Sequence, residues 1–271
     1  MSLAQDIKQL RQKTGAGMLD CRKALQENNG DMEQAITYLR KKGLADMAKR
    51  SGRETNEGRV VIKSTADTTA MSFLGCETDF VAKTSEFIKL AEDVATLVSE
   101  NADEDKIKTL ITEVAPKLGE NVTLKQKEAW KKAEGCAVVG SYIHSDNKKA
   151  AMVEIVCGKE NCGNTDKMQT LAKELSLQAV GMIASWLEEK DVPKDVLEKE
   201  QEVFTAQAKN EGKPDMAIEK MMPGKLKKFC KENCLMEQQY IKDSKLSVKD
   251  YFEAQAKEIG CELKVTRFAR F

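Results

Sequence analysis

The sequence has 271 residues, of which 41% are hydrophobic and 32% are charged, a composition typical of a soluble globular protein. Lys and Arg total 44, as do Asp and Glu, so the formal net charge is zero. This balance argues against bulk electrostatic binding to nucleic acid or to a membrane surface. The length allows one large domain or two to three small ones.

The N-terminus gives no targeting signal. Its first residues, Met1-Ser2-Leu3-Ala4-Gln5-Asp6, have no basic flank followed by an apolar region, and no Arg-rich leader is visible. No apolar run approaches the roughly 20 residues that a membrane span needs. We therefore expect a cytoplasmic protein whose cysteines are reduced.

The eight cysteines are scattered through the chain. Cys157 with Cys162 and Cys230 with Cys234 could together offer four thiolates to zinc, but neither pair has the tight C-x2-C spacing of zinc sites. His144 is the single histidine. We expect no metal site and no cofactor.

Residues 1–43 are predicted to form a compact unit of three short helices. Thr14-Gly15-Ala16-Gly17 separates the first two helices, and Asp31 with Gln34 three residues later is typical of a capping box. The unit resembles a ubiquitin-associated domain. Met18 and Leu19 are adjacent, and adjacent helical residues point about 100° apart, so we expect one in the core and one outward. Apolar residues at helical spacing define the three stripes: Leu3, Ile7 and Leu10; Met18, Cys21, Ala24 and Leu25; Ala35, Ile36 and Leu39.

The rest of the chain is predicted to be an α+β core. Short β-branched and aromatic runs favour strands, and 3.6-residue periodicity favours the helices between them. The predicted parts are a linker (44–58), a first half-domain (59–134), a second half-domain (135–187 and 224–271), and a projecting helical hairpin (188–223) that Pro223-Gly224 closes.

In the first half-domain, strands are predicted at 59–64, 70–75 and 122–125, followed by a charged segment to residue 134. Helices are predicted from Thr84 and from Asp103 to Leu118, the latter interrupted near Pro116. In the second, strands at 137–143 and 150–157 precede a helix with Met168 to Trp186 on one face, and a last strand at 262–271 completes the sheet.

The two half-domains are related by an internal repeat. An offset of 81 residues superposes Ala70-Met71 on Ala151-Met152, Cys76 on Cys157 and Thr84 on Thr165. The shared pattern of strand, turn, strand and helix supports two similar half-domains.

One stretch, Thr78-Asp79-Phe80-Val81, stands out against this repeat. It follows an apolar strand and precedes a helix, so Asp79 could be a helix cap and Phe80 a core residue. Alternatively, Phe80 points outward as a wedge into another protein. The second copy has Asn161 where the first has Phe80. A residue needed to build the half-domain should be apolar in both copies, so an external role for Phe80 is favoured.

The sequence lacks common catalytic motifs. It has no G-x4-GK[ST] phosphate loop, no GxGxxG, no HExxH and no GxSxG. A single histidine restricts acid–base chemistry. These absences favour a binding protein over an enzyme.

Three motifs together resemble the translation elongation factor Ts family of bacterial type, in the form without its C-terminal module. They are the run from Leu10 to Cys21 (LRQKTGAGMLDC), Thr78-Asp79-Phe80-Val81, and Gly140-Ser141-Tyr142-Ile143-His144. The resemblance implies guanine-nucleotide exchange on elongation factor Tu, bound with GDP or free of nucleotide. It also implies a homodimer through the 188–223 hairpin and no direct contact with nucleotide, nucleic acid or membrane.

The same resemblance assigns roles to individual residues. Asp79 and Phe80, flanked by Thr78 and Val81, would insert between two helices of the GTPase domain of elongation factor Tu. The resemblance also implies that a neighbouring helix of that GTPase domain is gripped by Arg11, Met18, Leu19 and Lys23. Leu118 and Gly119 would press near the phosphate loop of elongation factor Tu, and His144 would contact its distal β domain. Leu235 and Met236 would make a contact related to that of the three-helix unit.

Two other functions are open from the residues alone. The three-helix unit would suit a ubiquitin-binding adaptor, although that reading gives the core no role. The Lys-rich segments would suit an RNA or ribosome binder, but the zero net charge weighs against it.

Overall fold

The structure is a computed structural model that describes residues 3–158 and 165–271. The chain forms two compact units, Met1–Trp130 and Lys131–Phe271, called here the N-terminal and C-terminal units. Both combine helices with a β-sheet, which confirms the predicted α+β class.

The N-terminal unit begins with three helices, α1 (Leu3–Thr14), α2 (Met18–Glu27) and α3 (Met32–Arg50). They enclose a small core of Leu10, Cys21, Ala24, Leu25, Ala35 and Leu39. The predicted cap of α3 is confirmed, because the Asp31 carboxylate accepts a hydrogen bond of 3.0 Å from the backbone N–H of Gln34.

The three-helix unit was predicted to end at Gly43. Helix α3 instead continues to Arg50, through the segment expected to be a linker. A glycine inside a helix normally costs up to about 1 kcal/mol relative to alanine. Here a tertiary contact explains it: a Cβ placed on Gly43 would lie 2.9 Å from Cβ of Pro116. The glycine lets α3 closely approach the helix that contains Pro116.

The N-terminal unit continues as a three-stranded sheet packed against helices, in which the first two strands pair antiparallel. Its strands are β1 (Glu57–Ser64), β2 (Thr68–Cys76) and β3 (Thr123–Lys131), in the order β1-β2-β3. The helices are α4 (Asp79–Ala82), α5 (Ser85–Ser99) and α6 (Glu104–Leu118). Their core contains Leu74, Phe87, Leu90, Val94 and Ile111 among others.

Strand β3 and helix α6 differ from the prediction. Strand β3 extends to Lys131, beyond the predicted end at Lys125, because an edge strand can leave charged side chains in solvent while Trp130 is buried. Helix α6 passes through Pro116 and ends at Leu118, so the proline lies in its last turn.

The C-terminal unit repeats the plan of a hairpin followed by a helix. Strands β4 (Ala137–Ile143) and β5 (Ala150–Cys157) pair antiparallel, and α7 (Thr165–Gly181) packs on them. The last strand, β8 (Leu263–Arg270), pairs with β5 and completes the sheet as predicted. Between them lie β6 (Gln239–Tyr240), β7 (Asp243–Ser247) and α10 (Val248–Ile259).

The helical hairpin consists of α8 (Lys194–Asn210) and α9 (Asp215–Asn233), preceded by a 3₁₀ turn, Glu189–Asp191. Helix α9 continues past Pro223-Gly224, so the predicted closure there is wrong. Helix α7 also ends earlier than predicted, at Gly181. Ile183 adopts a left-handed backbone with φ of 53°, and both Met182 and Ile183 are exposed instead of lying on one buried face with Trp186.

Two findings bear on the expected environment of the chain. Over the described ranges, no helix combines the length and apolarity needed to cross a bilayer. In the same ranges, six cysteines are free thiols, but Cys157 is disulfide-bonded, which corrects the expectation of fully reduced cysteines. Cys162, which with Cys157 could have offered thiolates to zinc, lies outside the described residues.

The packing of β4 on α7 generates a prediction about Gly140. A Cβ at this position would lie 2.2 Å from the carbonyl carbon of Ala172, which is backbone and cannot move aside. We expect Gly140→Ala to lower the free energy of unfolding by about 1–3 kcal/mol through overpacking. Urea unfolding measures this.

Gly224→Ala is the matched control. This glycine lies inside α9, and a Cβ there meets nothing within 4 Å. The better helix former should stabilise the protein by up to about 1 kcal/mol. Equal effects of the two alanine substitutions would contradict the packing described for Gly140.

Candidate functional site

The Phe80 side chain lies on the surface of the N-terminal unit, on the single turn of helix α4. It is 80% exposed, whereas Phe87, seven residues later, is completely buried. Thr78, not Asp79, is the N-cap, and its hydroxyl accepts a hydrogen bond from the Val81 N–H. The alternative in which Asp79 caps the helix and Phe80 enters the core is therefore wrong. Asp79 instead pairs with Lys83 at 2.6 Å.

Two glutamates fasten the base of this turn to the end of α6. The Glu120 carboxylate accepts hydrogen bonds from the backbone N–H groups of Glu77 (2.9 Å) and Thr78 (3.0 Å) and from the Thr78 hydroxyl (2.5 Å). The Glu77 carboxylate reciprocally accepts from the backbone N–H of Asn121 at 2.7 Å. We call this reciprocal arrangement of Glu77, Thr78, Glu120 and Asn121 the carboxylate clasp.

Further groups balance the two negative charges of the clasp and anchor it. Arg53 lies 3.2 Å from the Glu77 carboxylate. The buried Asn121 side chain donates to the backbone carbonyls of Arg53 and Ser51, at 2.8 and 3.4 Å. The segment that follows α3 is thereby joined to the same point as β2, α4 and α6.

The environment of the clasp shifts two pKa values in opposite directions. The backbone N–H of Asn121 and then the Arg53 guanidinium hold the pKa of Glu77 below its ordinary value. Burial, with the nearby charges of Glu120 and Glu57, raises the pKa of Cys76 to about 12. The Cys76 thiol therefore stays protonated and lies 3.2 Å from the Thr78 carbonyl as a donor.

The end of α6 lies close to the first turn of the three-helix unit. Leu118 is half-buried, and Gly119 is exposed with a left-handed φ of 73°. One residue earlier, the Lys117 side chain passes Gly15, where an added Cβ would lie 3.3 Å from its Cγ. The Thr14-Gly17 turn and the end of α6 are thus neighbours.

The three-helix unit exposes every residue that was predicted to contact a partner. Arg11 and Lys23 are exposed, and Lys23 pairs loosely with Glu27 at 3.7 Å. Met18 is 60% and Leu19 80% exposed, so the expectation that one of them is a core residue is wrong. They occupy the first turn of α2, ahead of the residues that pack on α1 and α3.

The C-terminal unit contains the other predicted contacts, and they differ in accessibility. His144 is half-buried at the turn between β4 and β5, with Nδ1 3.2 Å from the Asp146 carboxylate. Leu235 and Met236 are buried in the core of this unit. Their side chains are not available to a partner, because both are enclosed by the unit's own apolar residues.

Comparison with known proteins agrees with these motifs. Residues 77–271 match the family model described as Elongation factor TS. The whole chain is 40% identical to an elongation factor Ts of Clostridium perfringens, covering 92% of that relative. It is also 40% identical to those of Trichlorobacter lovleyi (99% of this chain, 91% of the relative) and Desulfovibrio desulfuricans (98% and 96%).

The chain belongs to the elongation factor Ts family. Membership in this family assigns it to translation elongation in protein biosynthesis. Family membership does not by itself describe the site, whose geometry comes from the contacts above.

Sequence reasoning missed the carboxylate clasp. Glu77, Glu120 and Asn121 sit among other charged and polar residues, and nothing in their spacing predicts that residues 43 positions apart exchange hydrogen bonds. The segment of the second repeat copy that corresponds to residues 78–81, from Lys159 to Cys162, lies outside the described residues.

The lowered pKa of Glu77 generates a pH prediction. Because the folded-state pKa lies below the unfolded value of about 4.3, the stabilisation is complete above that value and is lost as the pH falls through the folded pKa. We expect the unfolding free energies of the parent and Glu77→Gln to differ near neutral pH and to converge in acid.

NMR titration of the Glu77 carboxyl provides the direct measurement. In Arg53→Gln its pKa should stay lowered, because the Asn121 N–H is the larger cause. A Glu77 pKa at or above the ordinary value in the parent would contradict the described geometry.

Proposed function

We propose that this chain is a guanine-nucleotide exchange factor for elongation factor Tu. It binds the GDP form, releases GDP, and leaves when GTP binds. The observation that supports this most is an aromatic side chain, Phe80, that is 80% exposed yet held on a hydrogen-bonded turn. In a member of the elongation factor Ts family, such a residue is suited to insertion into a partner.

Burial of Phe80 supplies the driving force for insertion. Fully burying a Phe side chain contributes roughly 1.5–3 kcal/mol, and exposed aromatics of this kind are typical of binding hot spots. Asp79 and Phe80 would enter between two helices of the GTPase domain, with Thr78 and Val81 flanking them. Separating those helices moves the groups that hold the Mg²⁺ ion and the phosphates.

The partner's Mg²⁺ explains why a small movement suffices. Mg²⁺ demands near-ideal octahedral oxygen geometry, so displacing its ligands weakens several nucleotide contacts at once. Linkage requires the reverse effect too: bound nucleotide weakens the affinity for the exchange factor. The factor accelerates exchange without shifting the final ratio of GDP to GTP, and it needs no acid, base or nucleophile of its own.

The other predicted contacts divide between the two units. In the N-terminal unit, Arg11, Met18, Leu19 and Lys23 would grip a neighbouring helix of the GTPase domain. Leu118 and Gly119 would press near its phosphate loop, and their link to the Phe80 turn through Glu120 supports a shared role. In the C-terminal unit, His144 would contact the distal β domain. The contact implied for Leu235 and Met236 is not part of this proposal, because both side chains are buried.

We also propose that the helical hairpin forms a homodimer. None of the α8 residues, all of which the structure describes, is fully buried. Val203 on α8 and Met216 and Met221 on α9 are exposed large apolar residues. A second copy of the hairpin would cover this surface.

The exchange function is tested by release of a fluorescent GDP from bacterial elongation factor Tu in excess unlabelled GDP. The parent should accelerate release strongly. Phe80→Ala should lose most of the acceleration, because truncating a hot spot costs about 2 kcal/mol or more, or about 30-fold in rate. Leu246→Ala, an exposed apolar truncation in the C-terminal unit, serves as the control.

Stability measurements exclude a folding defect as the cause. Because Phe80 is exposed, its substitution should change the unfolding free energy by no more than about 0.5 kcal/mol. No acceleration by the folded parent would overturn the exchange function. Full acceleration by Phe80→Ala would be consistent with the exchange function but would contradict the role of Phe80 as a wedge.

The homodimer is tested by sedimentation velocity over a range of concentrations. The parent should sediment as a dimer, and Met216→Lys should shift it to a monomer because a charge would be buried in the interface. Leu246→Lys adds the same charge outside the hairpin and should leave the dimer intact. A parent that stays monomeric at all concentrations would contradict this proposal.

A further inference from the structure

We propose that Glu120 is a positioning residue that fixes the Phe80 turn on the end of helix α6, so that the wedge and the Leu118-Gly119 loop engage the partner as one rigid surface. This inference rests on the proposed exchange function. Glu120 would not touch nucleotide or reacting atoms; it would act through Thr78 and the turn that follows.

The short length of α4 makes an external anchor necessary. Helix nucleation is unfavourable, and an isolated helix of a single turn does not hold itself together in water. The α4 helix has four residues, Asp79–Ala82, and Phe80 projects from it into solvent instead of packing on the core. The orientation of Phe80 therefore depends on what holds the residues immediately before it.

Glu120 holds those residues. Its carboxylate binds the backbone N–H groups of Glu77 and Thr78, which directly precede Asp79, and the Thr78 hydroxyl at 2.5 Å. That hydroxyl also receives the Val81 N–H of the helix turn. One carboxylate thus determines both the entry of the chain into α4 and the rotamer of its N-cap.

Helix α6 supplies the rigid base to which Glu120 is attached. Ile107, Ile111 and Ala115 bury one face of α6 in the core of the N-terminal unit. On the opposite side, Pro116 packs against Gly43 of α3, and Glu113 pairs with Arg40 at 3.3 Å. The three-helix unit and the turn that carries Phe80 are therefore both anchored on α6.

Substitution of the carboxylate by an amide should disturb this geometry without removing a contact surface. Glu120→Gln keeps the side-chain length and one oxygen for the two backbone N–H groups, but its NH₂ group would then face the Thr78 hydroxyl, which would lose its charged acceptor. The matched control is Glu104→Gln, at the other end of α6. It removes an exposed carboxylate paired with Lys127 and does not touch the turn.

The test measures GDP release from elongation factor Tu as a function of factor concentration. For Glu120→Gln we expect the maximal rate to fall by about tenfold or more, since misplacing a positioned group by about 1 Å can cost up to about a hundredfold. The half-saturating concentration should change much less, because the three-helix unit still binds. Glu104→Gln should match the parent.

A double-mutant cycle with Phe80→Ala separates positioning from a general structural role. If Glu120 acts through the wedge, adding Glu120→Gln to Phe80→Ala should cause almost no further loss. An equal fold-loss in both backgrounds would overturn the inference, as would parent-like exchange by Glu120→Gln.

Hydrogen exchange of the Thr78 amide in the parent tests the anchor without any substitution. Slow exchange is expected, and exchange at the rate of an unprotected amide would overturn the inference even if Glu120→Gln fails to fold. Failure of the proposed function gives a different result: the parent does not accelerate GDP release while its Thr78 amide remains protected.

Discussion

The turn that carries Phe80 is held by two carboxylates, each of which accepts hydrogen bonds from the backbone of the other's loop. Glu120 accepts from the N–H groups of Glu77 and Thr78, and Glu77 accepts from that of Asn121. Two like charges this close need compensation, which the backbone N–H groups and Arg53 supply. Hydrogen bonds to charged groups contribute about 1.5–3 kcal/mol each, so the clasp is a strong local constraint on the turn that carries the exposed Phe80.

The two units show how one plan supports different tasks. Each has a β-hairpin, a third strand paired with the hairpin's second strand, and a helix packed on the sheet. In the N-terminal unit, α4 and α6 lie between the hairpin and the third strand, and the residues after α6 hold the turn that carries Phe80. In the C-terminal unit, α8 and α9 also lie before the third strand. The segments between the framework elements therefore differ between the two units.

The proposed exchange relies on groups that would bind a protein surface. Among the exposed groups that the proposal uses, Phe80, Met18 and Leu19 are apolar, and Arg11 and Lys23 are cationic. In the proposed mechanism, binding of Phe80 would alter the partner's affinity for nucleotide through linkage. The proposed mechanism therefore requires that Phe80 be held in a defined position, which a hydrogen-bonded turn provides.

Apolar periodicity and the difference between the repeat copies are local signals, and they predicted the fold class, the hairpin strands and the exposure of Phe80. The packed fold determined the helix ends that these signals missed: α3 runs on past Gly43, against which Pro116 lies, and α9 runs on past Pro223. It also decided that Met18 and Leu19 are both exposed and that Leu235 and Met236 are buried. The clasp joins residues 43 positions apart, and such a pairing follows from the fold alone, because sequence patterns report burial and backbone propensity but not which distant donors meet which carboxylate.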